Sequence, residues 1–143
     1  MIKMVEITEE VGRSFIDALI SEDADKLADL FSDDAVLTLG GPAEGRTIKG
    51  KKNIRDLFDY IFRNLFADVK IKITRIVTTK DVAIVEISDD AVSRVTGQKY
   101  ENEILFLIDV KDGKIQAMRE YLDTVASTRA LGRLPYNLPT SAS

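Results

Sequence analysis

One carboxylate in this chain sits between apolar neighbours at strand spacing. In Met118-Arg119-Glu120-Tyr121-Leu122, a period of two puts Met118, Glu120 and Leu122 on one face and Arg119, Tyr121 and Asp123 on the other. The apolar pair marks the first face as the buried one. A glutamate held there loses hydration, so its pKa rises and it can accept and return a proton near neutral pH. The plainer reading is a glutamate at a sheet rim, hydrogen-bonded or salt-bridged. Asn102 shares a face with Ile104 and Phe106 in the preceding apolar run and offers Glu120 or a ligand a hydrogen bond that adds no charge. Asp89, beside Asp90, falls inside another run of strand character, where aspartate is depleted. It marks either a bulge or a side chain aimed into an interior cavity.

The rest of the composition narrows the chemistry sharply. The 143 residues contain no cysteine and no histidine. Thiolate nucleophiles, disulfides, Cys/His zinc sites, Ser-His-Asp triads and imidazole bases are thereby excluded, so acid–base work falls to Asp, Glu, Lys or Tyr. Twenty Lys and Arg against 24 Asp and Glu leave a net charge of −4, the wrong sign for a nucleic-acid surface. Gly45-Arg46-Thr47-Ile48-Lys49-Gly50-Lys51-Lys52 fits GxxxxGK but carries Lys52 where a phosphate loop needs a magnesium-binding hydroxyl. It reads as a solvated basic loop. Asp33-Asp34 and Asp89-Asp90 lack the loop that calcium requires. No metal and no cofactor is therefore expected. The longest strongly apolar stretch, Ile104 to Ile108, is far short of the roughly 20 residues that cross a bilayer. The N-terminus lacks the apolar core of a signal peptide, and a cytoplasmic location is expected.

The elements that must position these residues are legible from periodicity. Val11, Phe15, Ala18 and Leu19 mark one helix face, with Glu9 and Glu10 placed in its first turn. Ala24, Leu27, Ala28 and Phe31 mark a second, short helix ended by Asp33-Asp34. A strand at 35–39 runs into Gly40-Gly41-Pro42, a breaker. Ile54, Leu57, Phe58, Ile61, Phe62, Leu65 and Phe66 then give the clearest amphipathic helix. From Val69 the period becomes two, predicting strands at 69–77, 82–95, 100–110 and 115–122, with Asp112-Gly113 as a hairpin signal. A short helix is expected at 125–131 and a tail after it. Helices followed by meandering strands predict an α+β fold with helices on one face of an antiparallel sheet. A curved sheet over a long amphipathic helix encloses a conical cavity. The wall of that cavity is expected to be Phe15, Leu19, Leu37, Leu39, Phe58, Phe62, Ile87, Phe106, Met118 and Leu122. The strands also carry apolar residues on both faces, more than one helical layer can bury, which predicts a homodimer.

Phe15-Ile16-Asp17-Ala18-Leu19, Leu30-Phe31-Ser32-Asp33-Asp34-Ala35-Val36, Asp112-Gly113-Lys114-Ile115 and Arg119-Glu120-Tyr121-Leu122-Asp123 resemble the SnoaL-like branch of the nuclear transport factor 2-like superfamily. The resemblance covers roughly residues 6–125. It implies a cone-shaped α+β barrel with a deep pocket, usually a homodimer through the sheet, with one domain over 1–131 and a tail over 132–143. In the ketosteroid isomerases of this group a Tyr and two Asp form the site. The matching positions here are Phe15, Leu39, and Leu105 or Phe106, which disfavours steroid isomerisation. The limonene epoxide hydrolases use an Asp–Arg–Asp relay with a water-holding Tyr and Asn. The relay positions become Asp89, Ile87 and Glu120, and the water-holding pair becomes Leu37 and Leu39. The polyketide cyclases and the phenazine-biosynthesis A/B proteins place an acid/base carboxylate at Glu120. The ending Arg129-Ala130-Leu131-Gly132, followed by Pro135, is similar to that of the phenazine proteins, whose partner histidine is lacking here. The resemblance thus implies a small cofactor-independent isomerase or cyclase-type enzyme. Glu120 would move a proton on an apolar carbonyl-containing small molecule, and Asp89 or Asn102 would hold the substrate or orient Glu120. The alternative is a noncatalytic ligand-binding or dimerisation module with the same cavity.

Overall fold

In the computed structural model, residues 2–41 and 46–132 are described. The expected tail beyond Gly132, and the segment from Pro42 to Gly45 that opens the phosphate-loop-like motif, lie outside the described residues. Helices α1 (Ile2–Ser21) and α2 (Ala24–Ala28) come first, then strands β1 (Phe31–Leu39) and β2 (Arg46–Lys49) and helix α3 (Lys51–Asn64). Strands β3 (Phe66–Thr78), β4 (Val82–Ser93), β5 (Lys99–Lys111) and β6 (Lys114–Leu122) follow, and α4 (Thr124–Leu131) closes the described chain. The six strands form one sheet in the order β2-β1-β6-β5-β4-β3. The sheet is curved and unclosed, with the helices on its concave side, the α+β architecture expected from the sequence.

Several boundaries differ from the periodicity, for local reasons. Helix α1 begins before its apolar stripe, so Glu9 and Glu10 lie mid-helix and Glu9 instead pairs with Arg13 at 2.9 Å. Phe31 belongs to β1 rather than α2. Asp23 caps α2 by accepting from the Lys26 backbone N–H, but the helix lasts only five residues. Asp33-Asp34 is an irregular stretch inside β1, where its register against β6 shifts, rather than a helix-ending turn. Part of the basic loop forms β2, paired antiparallel to β1. The sheet is not wholly antiparallel either, because β1 runs parallel to β6.

Curvature has an identifiable source in β3. Its register against β4 slips between Ala67 and Lys70 and again between Ile73 and Arg75, each time with one extra residue on β3. Bulges of this kind bend the strand that carries them and increase its twist. At the first of them Asp68 adopts φ 53°. On the concave side, Phe15 of α1 meets Phe31, Phe58 and Phe106 edge to face at centroid distances of 6.2, 6.1 and 5.1 Å. This cluster joins α1, α3 and the sheet in one core. Gly12 lets α1 lie close on β4, because a Cβ there would stand 3.3 Å from both Ala83 Cβ and Val85 Cγ2.

Candidate active site

Cross-strand register puts the polar residues into an apolar grid. Glu120 on β6 stands opposite Phe106 on β5, and Leu122 opposite Ile104. One strand further, Ile104 faces Ile87 and Asn102 faces Asp89 on β4. All of these side chains point to the concave face, since buried positions alternate along β4 and β5. Asp89 and Asp90 diverge for the same reason. Asp90 lies on the outer face with Lys99 Nζ 3.8 Å away, while Asp89 points into the cone. Of the two readings of this pair, the inward side chain is the one seen, and the nearby bulge belongs to β3.

A cavity of about 120 Å³ opens between the sheet, α3 and α4. Both Asp89 and Glu120 line it, together with Leu19, Leu39, Phe58, Phe62, Ile87, Phe106 and Leu122 of the expected wall. Phe15, Leu37 and Met118 do not. Phe15 is sealed inside the aromatic cluster, and Leu37 and Met118 are register partners sealed in the core, at 0% and 1% exposure. Strand alternation puts Leu37 and Met118 on the inner face, and helical spacing puts Phe15 on the inward stripe of α1, but neither period tells a position packed shut from one that borders a cavity.

Among the described residues Glu120 accepts one hydrogen bond, from the Gly40 backbone N–H at 3.0 Å. Gly40 and Gly41 take φ 83° and 97°, left-handed values that glycine adopts without penalty. The breaker after β1 therefore has a definite use: it aims an N–H at the carboxylate. Burial pushes the pKa of Glu120 up to about 7; the Gly40 bond opposes this and the charge on Asp89 adds to it. Burial likewise raises Asp89 to about 6, with a further contribution from Asp90. Oδ1 of Asp89 is buried without a hydrogen-bond partner among the described residues.

Asn102 does not reach Glu120. Its amide nitrogen donates to the Tyr100 hydroxyl at 2.9 Å, the Asp123 carbonyl at 3.0 Å and Ser127 Oγ at 3.1 Å. Its amide oxygen accepts from the Asp123 N–H at 3.0 Å. These bonds tie the start of α4 to β5, while Asp123 caps the helix through the N–H groups of Val125 and Ala126. Asn102 is therefore a positioning residue for Tyr100 and Ser127, both of which line the cavity. Burial raises the pKa of Tyr100, so its hydroxyl stays neutral and remains a donor. Tyr100 is not among the site residues expected from the sequence; its period-two spacing from Asn102, Ile104 and Phe106 is the signal that could have found it. Ser127 and Leu131, one helical turn apart on α4, enter the wall only through the docking of that helix.

Among the described residues no group of three or more Asp or Glu side chains could hold a metal ion, and no helix is long and apolar enough to cross a membrane.

Solved structures share this architecture. A nuclear transport factor 2-like protein from Burkholderia xenovorans LB400 superposes with a TM-score of 0.73 at 21% identity, covering 89% of this chain and 97% of its own. A protein with a ketosteroid isomerase-like fold from Catenulispora acidiphila, solved in complex with trimethylamine, gives 0.76 at 17% identity over 92% and 98%. An epoxide hydrolase of M. tuberculosis, similar to limonene epoxide hydrolases, gives 0.72 at 20% identity over 89% and 90%. At such identities these likenesses establish the fold. No curated protein matches the chain in sequence. The family model described as a SnoaL-like domain matches residues 13–118, most of the chain and all but the last stretch of the cavity's sheet. The chain belongs to the SnoaL-like domain family.

Proposed function

We propose that this chain is a small cofactor-independent enzyme of the isomerase or cyclase type, moving a proton on an apolar carbonyl-containing small molecule. The observation that carries this reading is Glu120, a carboxylate in an apolar cavity with one backbone donor among the described residues and a pKa pushed up to about 7. Such a group is part ionised at neutral pH, so it can take a proton from the carbon next to a carbonyl and return it elsewhere. The neutral Tyr100 hydroxyl on the same cavity is a suitable donor for the carbonyl oxygen, whose negative charge grows as the proton leaves. Asp89 supplies an acceptor for a polar group elsewhere on the substrate. The cavity's size favours a compact molecule, since about 120 Å³ compares with an apolar cavity of roughly 150 Å³ that holds benzene. A homodimer, formed through the outer face of the sheet, belongs to the same proposal.

The reading as a binding module has its own support. Asn102 is spent on α4 rather than on orienting Glu120, and the fold of the Catenulispora protein holds a small amine. Turnover separates the two. Small cyclic ketones, cyclohexanone and 2-cyclohexenone, are incubated with the protein in deuterated buffer, and exchange of the protons next to the carbonyl is followed by NMR. The expected result is exchange that falls about 10²–10⁴-fold in Glu120→Gln, with ketone binding retained. Equal exchange in wild type and variant overturns the enzyme reading.

A further inference from the structure

Asp89 is not used up by the proton transfer proposed for Glu120, and its surroundings are lopsided. The cavity wall contains five aromatic rings, Phe58, Phe62, Phe66, Tyr100 and Phe106. Its titratable members are Asp89, Glu120 and Tyr100, with Glu22 at the exposed mouth, and none of its described residues is a lysine or arginine. Asp90, the nearest other acid in sequence, already has Lys99 on the outer face. Among the described residues no lysine or arginine pairs with Asp89, whose Oδ1 is buried and unpartnered there. A buried carboxylate oxygen without a donor is costly, and such an orphan invites an explanation. Rotation about the broad terminal torsion of an aspartate exchanges its two oxygens, so either one can be presented to the cavity.

We propose that the cavity selects a small ligand bearing a protonated amine, with the ammonium seated on Asp89 against the aromatic wall. An ammonium provides the missing donor as a charge-assisted hydrogen bond, roughly twice as strong as a neutral one. Ring faces attract the same charge, and the described wall residues, with no lysine or arginine among them, offer no competing cation. A neutral hydroxyl would satisfy the oxygen but leave the negative charges of Asp89 and Glu120 uncompensated. The inference goes beyond the proposed reaction, because it holds for a substrate and for a carried ligand alike. It also bears on that reaction: a cation seated in the cavity favours the ionised form of Glu120, so binding would prepare the base.

Benzylammonium and benzyl alcohol, matched in shape and differing in charge, are titrated calorimetrically into the full chain. At pH 8 benzylammonium is expected to bind ~10-fold or more tightly than the alcohol. That preference should collapse at pH 5, where the acids are protonated, and in Asp89→Asn, which keeps the shape and removes the charge. The pH arm uses the wild-type chain and stands even where the variant folds poorly. Absence of benzylammonium binding, equal affinity of the two probes at pH 8, or a preference that survives both pH 5 and Asp89→Asn overturns the proposal. Because no turnover is read, a failure here leaves the assignment of Glu120 standing, and a failure of ketone exchange leaves the amine site standing.

Discussion

Glu120 and Asp89 hold their protons more tightly in the folded chain than in the unfolded one. Glu120 moves from 4.5 to about 7 and Asp89 from 3.8 to about 6. Across that window the folded state binds more protons, so stability falls as pH rises, and the loss is complete above the folded values. For Glu120 alone the penalty at alkaline pH is roughly 3 kcal/mol. Urea melts at pH 5 and pH 8 should therefore show the wild type weaker at pH 8. Glu120→Gln, which keeps an acceptor for the Gly40 N–H, should flatten most of that difference and outlast the wild type at pH 8. Equal wild-type stability at the two pH values would contradict the burial of these charges. Asp34 and Asp56 are displaced the other way, lowered first by hydrogen bonds from Gln116 and Lys52 respectively. Their contribution disappears only in more acid solution. The inward direction of Glu120 was legible from Met118 and Leu122 alone. The orphan oxygen of Asp89 was not, because lack of a partner is a fact about every neighbouring strand at once.

At the scale of elements, one side chain gathers most of the polar bonds between β5 and the helix that ends the described chain. Asn102 bonds to Tyr100, Ser127 and both backbone groups of Asp123, and α4 contributes Ser127 and Leu131 to the cavity wall. Asn102→Leu strands several buried groups at once and is expected to cost about 2 kcal/mol or more. Amide exchange should report the loss first in α4, leaving α1 and the centre of the sheet protected; uniform loss of protection would show that α4 is not a separately docked unit. Periodicity located α3, β3 to β6 and α4 to within a few residues, since each has a solvent side and a core side. It missed β2, whose Arg46-Thr47-Ile48-Lys49 run buries only Ile48. It also took Phe31 into α2, because a fully buried residue fits a helix stripe and a strand equally well. The parallel pairing of β1 with β6 joins segments some 80 residues apart, and no local pattern encodes it.

For the whole molecule, the sheet presents two chemically different faces. The concave face holds the cavity, while on the convex face Val77, Ile84 and Leu107 lie in one row across β3, β4 and β5, and Leu105 and Tyr121 in the next. Val77 is 45% exposed in the single chain. Apolar area of this kind marks an association surface, so light scattering at micromolar concentration should give twice the 15.9 kDa chain mass, and Leu107→Lys should give a monomer. A monomeric wild type would contradict the proposed dimer. The cavity, where β6 brings a carboxylate beside Phe106, is the centre of the proposed function. There a single proton is held by Glu120 near neutrality, because the apolar cavity wall gives the charged form little solvation. Labelling glutamate side-chain carboxyl carbons with ¹³C, assigning the Glu120 signal through Glu120→Gln and titrating it by NMR reads that proton directly. The account predicts a midpoint near 7, about the value at which burial leaves the carboxyl; a midpoint near the ordinary glutamate value of about 4.3 would contradict it.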